Sequence, residues 1–440
     1  MAAHRKKPLP AGEFAAEIVD LDHNGRGFAR VDGKATFIAD ALPGELVQFR
    51  YTATSRDADE GQVTRVDRAS PDRVEPGCAH FGTCGGCAMQ HLAADRQIEF
   101  KQKQLLDGLE RIGKLTPETV VPPMLGPVWG YRRRARLGAK RLPTKGGVRV
   151  GFRERNSDFM SMLESCAVLD PRVGLKLRDI GRLFDTLTIA PSIPQIELAC
   201  GEHVALVMRV LQPPTEQDRE KIAAFGAAEG FEIYLQPGGL DSIVPLNEPA
   251  RPLEYSPDGS DLRLRFEPSD FIQVNGGVSQ KVVRQAIEWL DIKPGERVLE
   301  LFCGLGNFSL PLARAGARVI AAEGEIGLVR RARENAERNG ITDIRFEKAD
   351  LFKTDANVDW LQQPFDKVLL DPPRAGAREI LPAVAKRKPS HILYVSCHPG
   401  TLARDAGTLV HEYGYRLTRV GVMDMFPHTT HVESMALFER

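Results

Sequence analysis

The sequence predicts an α/β protein in three parts: an N-terminal β-barrel, a central α+β region and a C-terminal doubly wound sheet. Short apolar stretches separated by glycines fill residues 1–69, and a cysteine cluster and a basic segment mark residues 70–270. Apolar strands then alternate with helical stretches through residues 271–440. A chain of 440 residues, 42% hydrophobic and 27% charged, can bury a core in each part.

Residues 1–69 are expected to form a small barrel resembling an OB fold. The apolar or β-branched stretches are Phe14–Val19, Phe28–Val31, Ala35–Ile38, Leu46–Tyr51 and Gln62–Val66. Five short strands with glycine turns between them are typical of such barrels, which often bind nucleic acid or sugars. Residues 1–68 hold ten Lys/Arg and eleven Asp/Glu, so the region is not basic overall. A packing or adaptor role therefore stays open beside RNA binding.

The cysteines of the central region predict a metal centre. Cys78, Cys84 and Cys87 follow a C-x5-C-x2-C spacing, and Cys166 is the best distant partner because Cys200 lies in a poorer context. An odd total of seven cysteines in a long chain argues against a disulfide framework. Four thiolates suit zinc or an iron–sulfur cluster, and the spacing does not separate the two. His80 and His91 are further possible zinc ligands, and the Cys84–Cys87 pair also fits a redox dithiol.

A strongly basic segment follows the cysteines and predicts contact with RNA. Residues 129–155 contain ten Lys/Arg and one acid, Glu154, although the whole chain balances 59 basic against 59 acidic residues. Trp129, Tyr131 and Phe152 lie among the basic residues, and Lys145-Gly146-Gly147 reads as a hairpin turn. Arginines neutralise phosphates, and aromatic faces stack on unpaired bases. A solvated hairpin is the alternative.

Residues 271–440 predict a mostly parallel, Rossmann-like sheet. The expected strands are Arg297–Phe302, Ala317–Ala322, Ile344–Lys348, Lys367–Leu370 and His391–Ser396, with a helix at Ile326–Asn339. The carboxyl ends of parallel strands meet at one edge of the sheet, where open α/β folds bind ligands. Glu323, Asp350, Asp371 and Cys397 each end or follow a strand, so we expect them to face one cleft.

The turn after the first of these strands predicts a nucleoside-binding site. It reads ELFCGLGNFS over residues 300–309, and glycine-rich turns let a ligand approach the backbone closely. Glu323 lies nineteen residues after Gly304, where an acid can bind both ribose hydroxyls of an adenosine. A dinucleotide site prefers a third glycine where Ser309 stands. With the acidic Glu300 on the strand, the pattern favours S-adenosylmethionine over a nicotinamide cofactor.

A thiol at the end of the fifth strand predicts covalent chemistry on a pyrimidine. Carbon 5 of uracil is a poor nucleophile until a thiolate adds to carbon 6, and a base must later remove the carbon 5 proton. Cys397 is the candidate thiolate, and His428, His431 and Glu433 in PHTTHVES are candidate bases. Residues 371–374 read DPPR, and the arginine stands where amine methyltransferases carry an aromatic residue, which disfavours methylation of an exocyclic amine.

These motifs together resemble the bacterial RNA (uracil-C5)-methyltransferases of the RumA/RlmD type, which act on 23S ribosomal RNA. The resemblance covers essentially the whole chain and is carried by FIQVN at 271–275, ELFCGLGNFS at 300–309, LLDPPRAG at 369–376, VSCHP at 395–399 and PHTTHVES at 427–434. It implies a TRAM barrel at 1–69, a central domain with a cluster at 70–270 and a methyltransferase domain at 271–440. It also implies transfer of a methyl group from S-adenosyl-L-methionine to carbon 5 of a uridine, with the 1939 site expected.

The resemblance further implies a role for each motif residue. Cys397 would be the nucleophile and Glu433 the base. The residues implied to contact S-adenosylmethionine or its immediate site are Gln273, Phe302, Asn307, Glu323, Asp350 and Asp371. The residues implied to hold a [4Fe-4S] cluster are Cys78, Cys84, Cys87 and Cys166. No obligate protein partner is implied, and a cytoplasmic location is expected because no apolar run approaches the roughly 18 residues of a membrane helix.

Three alternatives remain at this point. A cytosine-C5 methyltransferase usually carries a second cysteine beside its Pro-Pro motif, and this chain has DPPR there. A redox protein would use the Cys84–Cys87 pair beside a nucleotide-binding sheet. A non-catalytic RNA-binding factor would retain the fold without the reaction, but the presence of Cys397 and Glu433 argues against it.

Overall fold

In a computed structural model of the protein, residues 9–141, 147–161, 163–353 and 358–440 are described. The chain forms two compact units. The first comprises the described residues up to Phe100 together with Arg153–Phe159 and Pro427–Thr430, and the second comprises the other described residues. Within the described ranges, no helix is long and apolar enough to cross a membrane.

The first unit contains a six-stranded sheet. Its strands are β1 (Phe14–Glu17), β2 (Asp20–Leu21), β3 (Gly27–Val31), β4 (Lys34–Ala39), β5 (Leu46–Thr54) and β6 (Ala58–Arg68). They are ordered β1-β5-β6-β4-β3-β2, and only β4 and β6 pair in parallel. Alternating residues such as Ile38, Val47 and Phe49 form the buried core of this sheet. The sequence predicted five of these strands and missed β2, whose two residues are too few to show a period.

The second unit begins with a mixed sheet in the central region. The strands introduced here are β7 (Thr119–Val120), β8 (Arg134–Arg141), β9 (Val148–Gly151), β10 (Gln195–Cys200), β11 (Val204–Arg209), β12 (Phe231–Gln236), β13 (Val244–Pro245), β14 (Leu253–Tyr255) and β15 (Leu264–Phe266). The sheet has the order β13-β12-β11-β10-β8-β9, while β14 and β15 pair separately. β8 and β9 are antiparallel, as a hairpin requires. Lys145 and Gly146 of the predicted hairpin turn lie outside the described residues.

Among the described residues up to 270, four α-helices accompany the strands. They are α1 (Ala94–Gly108), α2 (Pro171–Gly174), α3 (Leu177–Asp185) and α4 (Glu216–Glu229). α1 continues into a π-helical turn at Leu109–Gly113, and short 3-10 turns lie at Ala190–Ser192 and Leu240–Ser242. α4 begins with a capping box in which the Thr215 hydroxyl accepts from the Asp218 N–H.

The C-terminal part of the second unit is a doubly wound sheet, which confirms the predicted fold class for this part of the chain. Its further strands are β16 (Arg297–Leu301), β17 (Arg318–Glu323), β18 (Ile344–Lys348), β19 (Lys367–Leu370), β20 (His391–Ser396), β21 (Arg416–Met423) and β22 (Glu433–Glu439). The sheet order is β18-β17-β16-β19-β20-β22-β21-β7, and the first five of these strands run in parallel. β16, β19 and β20 are almost entirely buried, as strands covered on both faces should be.

Helices cover this sheet and fix the loops at its carboxyl edge. They are α5 (Gly276–Leu290), α6 (Ser309–Arg314), α7 (Ile326–Arg338), α8 (Asp359–Gln362), α9 (Leu381–Lys386) and α10 (Pro399–His411). α10 begins directly after β20: the His398 side chain accepts from the Thr401 N–H, and Pro399 occupies the first helical turn. Cys397 is therefore held in a short turn between a buried strand and a capped helix.

Candidate active site

A single cavity of about 730 Å³ in the second unit collects the residues singled out from the sequence. It lies where the carboxyl ends of the parallel strands meet. All six predicted cofactor-site residues and both predicted catalytic residues line it, namely Gln273, Phe302, Asn307, Glu323, Asp350, Asp371, Cys397 and Glu433. Residues more than 120 positions apart in the chain thus share one wall because the sheet brings strand ends together.

The glycine turn after β16 has the backbone geometry that a close ligand requires. Phe302, Gly304 and Gly306 all have positive φ angles, of 65°, 54° and 91°. The φ of Gly306 strains any other residue, and a β-carbon there would also come within 2.6 Å of Leu310 Cδ1, while the space around Gly304 is open. The turn therefore leaves room for a bound group against the main chain at Gly304.

Glu323 is oriented by the same turn. Its carboxylate accepts hydrogen bonds from the Gly304 N–H at 3.0 Å and from the Gly324 N–H at 2.7 Å. This fixes the carboxylate at the end of β17 in a cavity that suits a ribose. Phe352 faces the same cavity, and its ring centroid lies 5.9 Å from that of Phe302. Sequence reasoning did not single out Phe352, since one aromatic residue after a strand carries no pattern.

Glu300 lies beneath the turn as a fully buried acid. The Ser309 hydroxyl donates to its Oε2, and its Oε1 has no partner among the described residues. Burial raises the pKa of Glu300 to about 8, assisted by the neighbouring Asp371 and Glu323 and opposed by the Ser309 hydrogen bond. A polar atom buried without a partner is uncommon, and a ligand with a donor group would satisfy it.

The pKa values of Asp371, Cys397 and Glu433 in the cavity are shifted toward the uncharged forms of these groups. Burial, followed by the charge of Glu323, raises the pKa of Asp371 to about 7. Burial, followed by Glu433 and Asp371, raises the pKa of the Cys397 thiol to about 11, although its place before α10 favours a thiolate. Burial, followed by Asp371, also raises the pKa of Glu433 well above its usual range, against Lys101 and Arg374. A base with a raised pKa accepts a proton more readily.

The structure separates the three candidate bases. Glu433 and His431 line the cavity, and burial lowers the pKa of His431. His428 belongs to the first unit, where its N–H donates to Gln97 Oε1 at 2.9 Å and its carbonyl accepts from the Ala88 and Met89 N–H groups. Two candidates therefore remain at the cavity, and only Glu433 has a pKa shifted in the direction that strengthens a base.

Part of the basic segment contacts residues that line the cavity. Arg133 donates from Nε to the Gln273 carbonyl at 2.6 Å, and its guanidinium lies 4.5 Å from the centroid of the Tyr255 ring. The Tyr255 hydroxyl in turn donates to Asn307 Oδ1 at 3.3 Å. Arg134 donates to the Pro268 and Ser269 carbonyls. Sequence reasoning assigned these arginines to RNA, and it missed this supporting role because their partners are backbone carbonyls far along the chain.

The cysteines outside the cavity fall into two groups. Cys78, Cys84 and Cys87 are half-buried in the first unit, where the Gly86 N–H donates to Cys84 Sγ at 3.4 Å. Cys166 is buried in the second unit. Among the described residues, no group of three or more His, Cys, Asp or Glu side chains is arranged to hold a metal ion. Cys200 is buried, and burial raises the pKa of its thiol to about 12; the buried Cys303, by contrast, lines the cavity.

Comparison with known proteins places these motifs in a family. A model of the tRNA (Uracil-5-)-methyltransferase family matches residues 254–440. The 23S rRNA (uracil(1939)-C(5))-methyltransferase RlmD of Alkalilimnicola ehrlichii is 50% identical over 438 residues, covering 99% of this chain and 98% of the relative. The enzyme of the same name from Stenotrophomonas maltophilia is 49% identical over 442 residues, covering 100% of both chains.

A solved structure extends the similarity to three dimensions. The crystal structure of Pyrococcus abyssi tRNA (uracil-54, C5)-methyltransferase in complex with S-adenosyl-L-homocysteine is 26% identical, with a TM-score of 0.72, and the match covers 96% of this chain and 99% of that chain. The resemblance stated from the sequence is thus confirmed over nearly the full length. The chain belongs to the family of RlmD-type 23S rRNA (uracil-C5)-methyltransferases.

Proposed function

We propose that the protein transfers a methyl group from S-adenosyl-L-methionine to carbon 5 of a uridine in 23S rRNA, at the 1939 site that its relatives are named for. The observation that carries the proposal is the joint presence of Cys397, Glu433 and the glycine turn in one cavity. A methyl donor and a uracil bound in this cavity would lie beside a candidate nucleophile and a candidate base.

The reaction that these groups support has four steps. The Cys397 thiolate bonds to carbon 6 of uracil, and the electrons of the ring double bond move to make carbon 5 nucleophilic. Carbon 5 takes the methyl group, whose bond to the donor sulfur breaks and leaves S-adenosyl-L-homocysteine. Glu433 then takes the proton from carbon 5. The carbon–sulfur bond at carbon 6 breaks, which restores the ring double bond and the Cys397 thiolate.

The environment of Cys397 and Glu433 suits this order of events. Both groups are disfavoured as anions by burial and by their acidic neighbours. A buried thiolate gains most from a neutral electrophile that disperses its charge, and uracil is one. Once it is ionised, Glu433 with its raised pKa is a stronger base than an exposed carboxylate, which helps at the proton-removal step, whereas a still higher pKa would leave less of the carboxylate ionised. We therefore assign nucleophile and base to Cys397 and Glu433.

The proposed methyl-donor site uses the strand ends around the glycine turn. Glu323 would bind the ribose hydroxyls, and Asp350 and Asp371 would contact the adenine and the region of the methyl group. Gln273, Phe302 and Asn307 complete the wall of the cavity. When bound, the sulfonium would supply the methyl group, and its sulfur would keep the bonding electrons as a neutral thioether.

The RNA substrate requires surfaces beyond the cavity. A uracil stacked in RNA is inaccessible, so we propose that the target base is flipped into the cavity. The basic residues of 129–155 other than Arg133 and Arg134, together with the N-terminal sheet region that we propose as a TRAM barrel over 1–69, would bind the flanking RNA. The proposed central domain covers 70–270 and the methyltransferase domain 271–440. An rRNA substrate also supports the cytoplasm as the site of action.

We also propose that Cys78, Cys84, Cys87 and Cys166 hold a [4Fe-4S] cluster that orders the RNA-binding region. The donor chemistry fits, because all four are thiols and an N–H group already donates to Cys84 Sγ. The described side chains form no ready-made metal group, so binding would have to draw the thiols together. Anaerobic purification with iron and sulfide analysis tests this. Four irons and four sulfides support it, whereas zinc or no metal would contradict it.

The reaction itself is tested by nucleoside analysis. The protein is incubated with labelled S-adenosyl-L-methionine and unmethylated 23S rRNA or tRNA, and the digested RNA is examined by mass spectrometry. Label in 5-methyluridine from 23S rRNA is expected. Label in 5-methylcytidine would overturn the reaction, and 5-methyluridine formed only in tRNA would overturn the substrate.

A further inference from the structure

A buried lysine contacts the segment that leads to the proposed base. Lys101 lies in α1 and is fully buried. Its Nζ donates to Asp424 Oδ1 at 2.7 Å and to the Phe426 carbonyl at 2.9 Å. Burying an ammonium group is unfavourable unless it is paired and hydrogen-bonded, and both conditions are met here. A buried ion pair adds little to the free energy of unfolding compared with an apolar pair. The location of this pair is therefore a better guide to its role than its contribution to stability.

The location is the connection between β21 and β22. Asp424 directly follows β21, and its N–H donates to the Met124 carbonyl at 2.9 Å. Glu433 is the first residue of β22. Between them, Phe426 and His431 line the same cavity as Glu433. Lys101 therefore fixes the segment at the point where it leaves the sheet and turns toward the cavity.

We propose that Lys101 is a positioning residue for proton removal: it holds the Asp424–Phe426 turn and sets the charge balance of Glu433. This inference rests on the proposed function. The charged groups that act on Glu433 are Asp371 and, with the opposite sign, Lys101 and Arg374. The acidic neighbours disfavour the carboxylate that must accept the proton. The positive charge of Lys101 favours that carboxylate, although Lys101 itself does not line the cavity.

The role predicts a defect in one step only. Attack by Cys397 and methyl transfer precede proton removal, so loss of Lys101 should leave them in place. The methylated uracil would then stay bonded to Cys397 because carbon 5 keeps its proton. A covalent protein–RNA complex that carries the transferred methyl group should accumulate. A loss of overall stability alone would reduce every step and would not enrich this complex.

Two variants remove the lysine charge in different ways. Lys101→Gln keeps donors for Asp424 and the Phe426 carbonyl, and the double variant Lys101→Met with Asp424→Asn removes the charges of both partners. Lys101→Arg is the control that keeps the charge. Each is quenched in denaturant during turnover with methyl-labelled S-adenosyl-L-methionine and rRNA. The labelled protein–RNA complex and the released 5-methyluridine are then counted.

Both charge-removing variants should release product about tenfold to a hundredfold more slowly and should accumulate the labelled complex, whereas Lys101→Arg should stay within about threefold of the parent. Their rate should also rise at a higher pH than the parent's, because the pKa of Glu433 increases when a neighbouring positive charge is removed. Folded variants that show no labelled complex and an unchanged pH profile would overturn the proposal. If neither variant folds, Lys101 is a stability residue and the positioning role is rejected.

A Glu433→Gln variant separates this inference from the function on which it rests. It should accumulate the labelled complex more strongly than any Lys101 variant, because the base itself is absent. If Glu433→Gln releases product normally, the assignment of the base fails, and the role of Lys101 fails with it. If Glu433→Gln accumulates the complex and the Lys101 variants do not, only the present inference fails.

Discussion

The cavity at the edge of the C-terminal sheet and the cysteine loop of the first unit differ in how their chemical groups are held. In the cavity, Glu323, Asp371 and Cys397 end or follow strands whose neighbours are hydrogen-bonded in register. In the loop, Cys78, Cys84 and Cys87 lie outside regular strands and are half-buried. Both sets were predicted from sequence motifs alone.

The difference teaches where a motif is sufficient to predict geometry. A strand-end motif inherits its geometry from the sheet, so the six predicted cofactor-site residues and the two predicted catalytic residues line one cavity. A cysteine motif on loops defines donor chemistry and spacing, while the metal itself supplies the final arrangement. Substitutions in the cavity should therefore reduce the rate of methyl transfer without changing RNA affinity. Substitutions in the cysteine loop should weaken RNA binding without changing the chemistry of the cavity.

The largest expected effect is at Cys397. Replacing Cys397 by Ala should reduce methyl transfer at least about a thousandfold, because it removes the proposed nucleophile for carbon 6. RNA affinity should change less than about threefold. Cys303→Ser is the matched control, since that buried thiol lines the same cavity and has no proposed part in bond formation. If the Cys397→Ala variant formed substantial 5-methyluridine, Cys397 could not be the nucleophile.

The second effect concerns the pH dependence of the same thiol. Only the thiolate is alkylated, and the folded protein raises the pKa of Cys397 to about 11, mainly through burial. Without RNA, alkylation of Cys397 by iodoacetamide should therefore increase about tenfold per pH unit from roughly pH 7 to 9. Peptide mass spectrometry follows the modified residue. A rate that levels off near pH 8 would mean that the thiol is not held in its neutral form.

The third effect tests the other side of the comparison. Cys84→Ala should weaken rRNA binding about tenfold, equivalent to about 1.4 kcal/mol, while binding of S-adenosylmethionine stays the same. Filter binding and calorimetry measure the two affinities, and iron content is followed in the same preparation. The thiol-deletion control is Cys200→Ala in β10. An unchanged RNA affinity after loss of iron would make the loop a bystander to RNA recognition.

The smallest effect probes the support behind the cavity. Arg133→Met removes the hydrogen bond to the Gln273 carbonyl and the contact with the Tyr255 ring. We expect S-adenosylmethionine affinity to fall about fivefold, or roughly 1 kcal/mol. Arg136→Met is the control, because Arg136 lies only three residues further along, in β8, and pairs with Glu197 at the surface. If the Arg136 variant loses more cofactor affinity than the Arg133 variant, the supporting role fails.

The sequence predicted the C-terminal sheet closely, for a physical reason. Strands buried on both faces are continuous apolar runs, so Lys367–Leu370 and His391–Ser396 were expected with the bounds that the structure has. Ile344–Lys348 also has the expected bounds, although only Phe346 of this edge strand is buried. The predicted helix Ile326–Asn339 ends one residue earlier, at Arg338. Motif residues at strand ends then followed from topology.

Other features could not be obtained from the sequence because they depend on partners distant in the chain. Lys101 pairs with Asp424 across 323 residues, and Arg133 binds the carbonyl of Gln273 across 140 residues. Neither contact leaves a local pattern. Composition made residues 129–155 look like an RNA surface, whereas several of these arginines serve the protein's own backbone. Every residue has a backbone carbonyl, so residue types do not show which carbonyl an arginine will bind.

The most direct test of the central claim is to trap the bond between Cys397 and carbon 6. An RNA fragment with 5-fluorouridine at the target position is incubated with the protein and S-adenosyl-L-methionine. Fluorine at carbon 5 cannot be removed as a proton, so the complex should persist after denaturation. We predict that peptide mass spectrometry finds a methylated fluorouridine adduct on Cys397, and that Cys397→Ala abolishes it. An adduct on another residue, or methylation without any covalent complex, would contradict the account.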